Sequence, residues 1–353
     1  MTPMSGALTG ADPRRPDGRL SKGPLDARRW RRTIAALAAV ALVAALLGLC
    51  LGSQNALRLL KDRETRALGW TILRDLRLVR VLVGLMAGGS LACAGAVLQA
   101  LFRNPLADPF VLGTSGGAAF GAVVGIVFFE GAGGLFSIPL LAFFGALLAI
   151  ALVSAGSAGR GVLTTQSLLL VGMIANYVFT ALVLFLTVRC DPNKLPRIEA
   201  WLLGDLGGGA FGVSGVAAAL ALCAAACAAM TLWLSRPLDA LTLGDEQARA
   251  LGVPVGRVRW TAFLLSALVT AVAVAISGVI GFVGLVLPHA LRRLCGADHR
   301  LLLPACFLGG GALLVLCDIP ARMLFAPVVL PVGVVTALLG GPAFYVILRR
   351  RPS

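Results

Sequence analysis

The segment PLDALTLGDEQARALGVPVGRVR, residues 237–259, is a polar stretch between two long apolar runs. Its centre has the pattern of a short helix, which Gly244 can open. Asp245 and Glu246 fall in the first turn and Arg249 in the last, as the helix dipole favours. Asp245 and Arg249 are also spaced as an i,i+4 ion pair. The pattern therefore predicts a compact helix between two membrane-filling segments.

The end of this helix is marked as clearly as its start. Gly252 stands where a left-handed C′ residue is common, and Pro254 just beyond it stops the helix from continuing. A short capped helix moves as one body, so it is suited to transmit force between long neighbouring helices. An ordinary connecting loop is the alternative interpretation of the same residues.

Composition indicates the class of protein in which this segment lies. Hydrophobic residues make up 58% of the 353 residues, charged residues 13%, and the mean hydropathy is +0.91. Soluble domains contain about 25% charged residues, so this chain has about half the usual charge. We predict an all-α polytopic membrane protein.

The net charge of +15 raises the possibility of nucleic-acid binding, but the distribution of the charge argues against it. Eight of the 31 basic residues precede Thr33, and most of the others lie at the ends of apolar runs without aromatic residues between them. This is a membrane-flanking pattern, so nucleic acid is not expected as a partner.

Residues 1–32 are rich in Pro, Gly and Arg and are predicted to form a disordered basic tail. The remainder, residues 33–353, is predicted to be one transmembrane domain, because ten apolar runs in it have the length of a spanning helix. These runs cover residues 33–52, 79–101, 112–129, 137–156, 166–188, 211–234, 260–277, 279–295, 301–317 and 328–348. Ten spans place both termini on one side of the membrane.

The positive-inside rule assigns that side. If the tail is cytoplasmic, 20 of the 31 basic residues fall on the cytoplasmic side and 11 on the other. We therefore expect a multi-pass membrane protein with both termini in the cytoplasm. The polar segment 237–259 then also faces the cytoplasm.

Glycines in the spans recur at intervals of four. Gly84 and Gly88, and then Gly117, Gly121 and Gly125, have the small-xxx-small spacing that lets helices approach closely. These positions are expected to lie at helix–helix contacts.

Two distant stretches resemble each other weakly. AGAVLQALFRNPLA (residues 94–107) and SGVIGFVGLVLPHAL (residues 277–291) share a small-residue start, an apolar middle and a proline. The spans that contain them run in opposite directions. This similarity predicts an inverted repeat of the kind found in transporters.

No pattern in the chain predicts catalysis. A Walker A sequence is missing, the eight cysteines show no metal-ligand spacing, and His289 and His299 fall near predicted membrane boundaries. Ion-coupled carriers usually need a carboxylate near the middle of a span, and none is placed there. Asn176 and Thr180, one turn apart on the fifth span, form either an interhelical hydrogen bond or part of a translocation path.

Four segments carry a resemblance to a known family. They are FRNPLADPFVLGTSGGAAFGA (residues 102–122), LGDEQARALGV (243–253), GFVGLVLPHALRRLCGADHRLLLP (281–304) and LPVGVVTALLGGPAF (330–344). Together they are similar to the FecCD and BtuC-like permeases of type II ABC importers, over the chain from about Thr33 onward. That family imports iron(III)–siderophores, haem and cobalamin.

The resemblance implies a permease subunit that is not itself an enzyme. Family members have ten spans and form a homodimer around one path. They work with two cytoplasmic ATPase subunits, which bind ATP and Mg²⁺, and with a periplasmic substrate-binding protein. This chain is expected to bind no cofactor or metal. Its expected cargo is an iron(III)–siderophore, with cobalamin or haem as alternatives. A secondary carrier and a membrane-embedded enzyme are the rival functions.

The resemblance also implies site residues. Coupling helices that contact the ATPase correspond to about residues 238–255, with the contacts expected at Leu243, Gly244, Asp245, Glu246, Ala248, Leu251 and Gly252. The N-P-L-A turn, with Asn104, Pro105 and Leu106, corresponds to a cytoplasmic turn near the inner gate. The family's path-lining fifth span contains Asn176 and Thr180.

Arginines near the outer ends of two spans have a second implied role. Arg77, Arg80 and Arg322 match positions at which family members dock acidic residues of the binding protein. The usual R-x-P-R motif reads RLVR here, with Val79 in place of proline. Interaction with lipid headgroups is the alternative for these arginines.

Overall fold

The computed structural model describes residues 27–52, 66–129, 137–157, 165–207, 212–326 and 328–349. The regular elements in this part of the chain are all helices. In chain order they are α1 (Ala27–Cys50), α2 (Arg66–Leu101), α3 (Thr114–Phe129), α4 (Ser137–Ser157), α5 (Thr165–Arg189), α6 (Leu195–Leu202), α7 (Gly212–Leu243), α8 (Asp245–Ala250), α9 (Val255–Ser277), α10 (Val283–Cys295), α11 (His299–Met323) and α12 (Val332–Arg349).

Ten of these helices correspond to the ten predicted spans. Seven are long and apolar enough to cross a membrane, and α3 and α12 are shorter apolar helices. The tenth, α10, has 13 residues and a length of about 20 Å. It covers only part of the predicted span at 279–295, because residues 278–282 are not helical. The remaining two helices, α6 and α8, are short connectors.

Several helices are longer than the apolar runs that predicted them. The first includes residues 27–32, which the sequence assigned to the basic tail, and residues 1–26 lie outside the described part. The second begins at Arg66 and includes a π-helical stretch, Ile72–Leu78. The seventh continues through Pro237 to Leu243. Hydropathy marks only the part of a helix inside hydrocarbon, whereas its hydrogen bonds continue into the polar zone.

Helix α2 is the centre of the bundle. Nearly every residue from Val79 to Leu101 is buried, and α2 packs against α7, α9, α10 and α11. Glycines let the backbone of α2 approach the backbones of neighbouring helices closely. A Cβ added to Gly88 would meet the carbonyl oxygen of Gly310 in α11, and a Cβ added to Gly310 would meet the carbonyl oxygen of Gly88. Gly117 and Gly145 form a similar pair between α3 and α4. The predicted role of these glycines in close packing is confirmed.

We expect Gly88→Ala to destabilise the protein by about 1–3 kcal/mol, because the obstructing atom belongs to backbone and cannot turn aside. A thermal unfolding curve in detergent measures the effect. Gly256→Ala is the matched control, since open space surrounds that helical glycine. Equal melting temperatures for the two variants would contradict the assigned contact.

The two stretches that suggested an inverted repeat have different local structures. Pro105 lies in a turn after α2, whereas Pro288 lies inside α10. The packing is nevertheless reciprocal: α2 contacts α10 and α11, and α9 contacts α3 and α4. Reciprocal packing is what an inverted repeat requires, and the repeat itself stays a prediction.

Candidate functional site

The polar segment 237–259, which we call the elbow, folds as the end of α7, the short helix α8 and the start of α9. Gly244 separates α7 from α8 with a φ of 127°, a conformation that L-residues rarely adopt. Gly252 follows α8 with a φ of 78°, and Pro254 precedes α9. The structure therefore contains the predicted short helix between two glycine hinges.

The carboxylate of Asp245 holds the elbow together. Both of its oxygens accept hydrogen bonds from Arg259 at 2.8 Å, and Arg103 donates to it at 3.3 Å. The prediction of an i,i+4 ion pair with Arg249 is wrong. Arg259 lies in the first turns of α9, and Arg103 lies just after α2. Asp245 therefore connects α8 to two other parts of the fold, whereas a pair with Arg249 would have lain within α8.

One face of the elbow is anchored and the other is exposed. Ala248 is fully buried, whereas Leu243 and Leu251 are 64% and 66% exposed and Glu246 is exposed beside them. A shallow cleft of about 530 Å³ adjoins these leucines; it is lined by Arg236, Asp239, Ala240, Leu243, Leu251 and Arg300. Exposed leucines bordered by charges are typical of a protein-docking surface.

A contact between His299 and Asp239, which the sequence did not predict, lies beside this cleft, because Asp239 is one of its lining residues. His299 at the start of α11 is buried, and its Nδ1 lies 2.5 Å from an oxygen of Asp239 in α7. The backbone N–H of His299 donates to the same oxygen. The pair fixes the end of α7 against α11. Sixty positions separate the two residues in sequence, so no local pattern could connect them.

The N-P-L-A turn lies beside the elbow. Asn104 Oδ1 accepts a hydrogen bond from the Leu106 backbone N–H at 3.0 Å, as expected of an Asx-type turn ahead of Pro105. The ion pair from Arg103 to Asp245 joins this turn to α8. Leu106 is exposed and adds a third apolar side chain to this end of the bundle, which we call the elbow end.

The fifth predicted span places Asn176 and Thr180 differently from each other. Thr180 is exposed, and its hydroxyl donates to the Asn176 carbonyl of the same helix at 2.8 Å, so the hydrogen bond it makes here is intrahelical. The Asn176 side chain faces Gly116 of α3. Both lie on α5, most of whose length is exposed. A path-lining role for them stays a prediction.

Two of the three arginines that match docking positions of the family are buried. Arg77 and Arg322 are 4% and 7% exposed. Arg77 donates to the carbonyls of Leu49 and Cys50, and Arg322 to that of Gly48, so both neutralise the C-terminal end of α1. Docking of the binding protein by these two residues stays a prediction, because in this structure their guanidinium groups are used by the carbonyls of α1.

Arg80 is the most accessible of the three. Its guanidinium lies 3.3 Å from Asp318, which is buried, and 3.6 Å from Asp205, which is half exposed. Asp318 also pairs with Arg322 at 2.7 Å. At this end of the bundle, Arg80 therefore connects an internal ion pair to the surface.

A second buried connection was also missed. Gln99 in α2 donates to the Leu285 carbonyl at 3.1 Å and accepts from Arg292 at 3.1 Å, so it joins α2 to α10. Among the described residues, no three His, Cys, Asp or Glu side chains are placed to share a metal ion.

Comparison with known proteins finds the same family by a family model and by individual relatives. The family model described as the FecCD transport family matches residues 36–350. The hemin transport system permease protein HmuU of Yersinia pestis is 42% identical, over 86% of this chain and 92% of that protein. The vitamin B12 import system permease protein BtuC of Klebsiella pneumoniae is 38% identical, over 94% of this chain and 98% of that protein.

A solved structure supports the same fold. A metal-chelate type ABC transporter in an inward-facing conformation superimposes with a TM-score of 0.78 and 32% identity, over 91% of this chain and 100% of that chain. The elbow, the N-P-L-A turn and the buried arginines all lie within the matched residues 36–350.

Proposed function

The chain belongs to the FecCD transport family and is a multi-pass ABC importer permease, and from this premise we propose that it imports a metal chelate across a bacterial inner membrane. Separate cytoplasmic ATPase subunits would supply the energy through bound ATP and Mg²⁺. Two copies of the permease would surround one path, a periplasmic binding protein would deliver the cargo, and both termini would be cytoplasmic. The single observation that carries the proposal is the family match, which extends over residues 36–350.

The elbow is the proposed contact with the ATPase. Leu243 and Leu251 present apolar surface, and Glu246 lies exposed beside them. Asp245 ties this surface to Arg259 at the start of α9 and to Arg103 beside the N-P-L-A turn. A push on α8 would therefore reach two long helices, α9 and α2, at the same time. Gly244, Ala248 and Gly252 shape the segment, and the leucines and Glu246 would make the contact.

The proposed cargo is a bulky metal chelate, and an iron(III)–siderophore is the member of this class that we test first. The similar proteins include permeases for hemin and for vitamin B12, at 42% and 38% identity, so haem and cobalamin are tested beside it. A panel of the three chelates is offered to the cognate binding protein, and binding is measured by tryptophan fluorescence. The chelate that binds with the highest affinity is then used for transport.

The experiment that tests the proposal is reconstitution in vesicles. The permease is incorporated with its ATPase, and uptake of labelled chelate is measured with the binding protein outside and ATP inside. We expect uptake only when all three proteins and ATP are present. Uphill accumulation by the permease alone, sensitive to an ion gradient, would instead show a secondary carrier.

Arg80 is the proposed docking residue for the binding protein, since it is the most accessible of the three arginines, although it also contacts Asp318 and Asp205. We expect Arg80→Gln to weaken binding-protein affinity about threefold to tenfold at low ionic strength, and less at high salt, because exposed charge pairs are screened. Affinity is measured by surface-plasmon resonance on the reconstituted permease. Arg189→Gln removes an exposed arginine at the end of α5 and serves as the control. An equal loss in both variants would point to general charge attraction.

A further inference from the structure

Three helix ends meet at the elbow end of the bundle and carry a dense group of arginines. They are the start of α1, the end of α10 and the start of α11; their arginines are Arg28, Arg29, Arg31, Arg32, Arg292, Arg293 and Arg300. We call this group the arginine corner. In the described part of the chain its acidic neighbours are Asp298, which binds Arg300, and Asp239, which faces His299. Arg28 and Arg293 make further interactions of their own, so the exposed Arg31 and Arg32 carry the positive charge that is available to a ligand.

The first turns of α1 run against the usual preference for charge. A helix start attracts acidic side chains, because the N-terminal end of the helix dipole is positive. The first turn of α1 has no acidic residue, and four arginines fall within its first six positions. An external anion beside these arginines would interact favourably with their charge and with the positive end of the helix dipole.

Hydrogen bonds hold this start of α1 against its neighbours. Arg29 Nη2 donates to the Cys295 carbonyl at the end of α10 at 2.8 Å. Trp30 Nε1 donates to the Arg300 carbonyl in α11 at 3.2 Å. These hydrogen bonds hold the start of α1 against α10 and α11, while the side chains of Arg31 and Arg32 remain exposed.

The position of the arginine corner along α1, relative to the apolar face of that helix, indicates whether the anion is a lipid headgroup or a soluble ion. Farther along α1, Val40, Leu42, Val43 and Leu46 are exposed, as expected of a helix face against acyl chains. Arg31 lies nine residues before Val40, about 14 Å along the helix axis, which places it at headgroup level. Trp30, which is partly exposed, is of the type that lies at membrane interfaces.

We propose that the arginine corner binds the phosphate of an anionic phospholipid, whose acyl chains lie along the exposed face of α1. Basic sites between helix ends on the cytoplasmic side are suited to such headgroups. A soluble phosphate would gain nothing from the apolar face below the arginines. Arg300 also lines the cleft beside the elbow, so a bound lipid would lie next to the surface proposed for ATPase contact.

The test uses the full chain, purified in detergent and equilibrated with an equal mixture of phosphatidylglycerol and phosphatidylcholine. Native mass spectrometry counts the lipids retained. We expect a preference for phosphatidylglycerol that falls about tenfold in the double variant Arg31→Gln/Arg32→Gln. The control Arg249→Gln/Arg257→Gln removes two exposed arginines from the elbow and is expected to keep the preference.

Three results would overturn the proposal. An unchanged preference in the Arg31→Gln/Arg32→Gln variant would show that the corner does not select lipid. An equal loss in both double variants would show diffuse attraction by all basic residues at this end. Displacement of phosphatidylglycerol by inorganic phosphate at the same ionic strength would show that a soluble anion is the ligand. Circular dichroism of each variant confirms that it is folded, and none of these outcomes depends on transport.

Discussion

Replacing Gly244 by valine is expected to abolish chelate transport while the permease remains folded and inserted. A φ of 127° is open to glycine but not to a β-branched residue, and an added Cβ would also meet the Gln247 side chain. Relief of this strain, about 1–3 kcal/mol, requires α8 to change its angle to α7. The leucines proposed to contact the ATPase would then be misdirected. We expect transport per ATP hydrolysed to fall at least about tenfold.

The measurement is the ratio of transport to ATP hydrolysis in vesicles that contain the complete importer. Gly256→Val is the control, because Gly256 lies in the first turn of α9, is not among the glycines with positive φ and faces open space. Glu246→Arg tests the same surface without backbone strain and is expected to reduce coupling less. If Gly244→Val transports with the normal ratio, α8 is not the element that conveys force.

Local chemistry is what made the elbow predictable. Gly244, Gly252 and Pro254 each dictate a backbone conformation that depends on only a few neighbours, so their roles follow from the sequence. The same holds for the Asx-type turn at Asn104, whose partner is two residues away. The ten spans were also predictable, because hydropathy is a property of each segment by itself.

Partners that come together only through the tertiary fold were not predictable. Asp245 has a basic residue four positions away, yet it binds Arg103 and Arg259 from other elements. Arg77 matches a docking position of the family, yet its guanidinium contacts the carbonyls of Cys50 and Leu49 in α1, which lie 27 and 28 positions away in sequence. A charged residue in an apolar environment takes the strongest available acceptor, and only the packing of helices determines which acceptor is available.

Asp318 is therefore expected to be the most sensitive charged residue at the end of the bundle opposite the elbow. It is buried, and its carboxylate contacts Arg322 at 2.7 Å and Arg80 at 3.3 Å. Asp318→Asn keeps the volume but leaves two guanidinium groups without their shared anion. We expect a destabilisation of about 3–5 kcal/mol, because a buried charge loses its partner. The loss is measured by thermal unfolding in detergent and by the amount of protein that accumulates in the membrane.

Asp205→Asn is the matched control, since Asp205 also faces Arg80, at 3.6 Å, but its side chain is 51% exposed. Exposed ion pairs contribute about 0–1 kcal/mol, so this variant is expected to unfold close to the parent temperature. The double variant Asp318→Leu/Arg322→Met removes both charges of the buried pair and is expected to be more stable than Asp318→Asn. If Asp318→Asn unfolds like Asp205→Asn, the buried carboxylate is not what balances these arginines, and the carbonyls at the end of α1 hold them unaided.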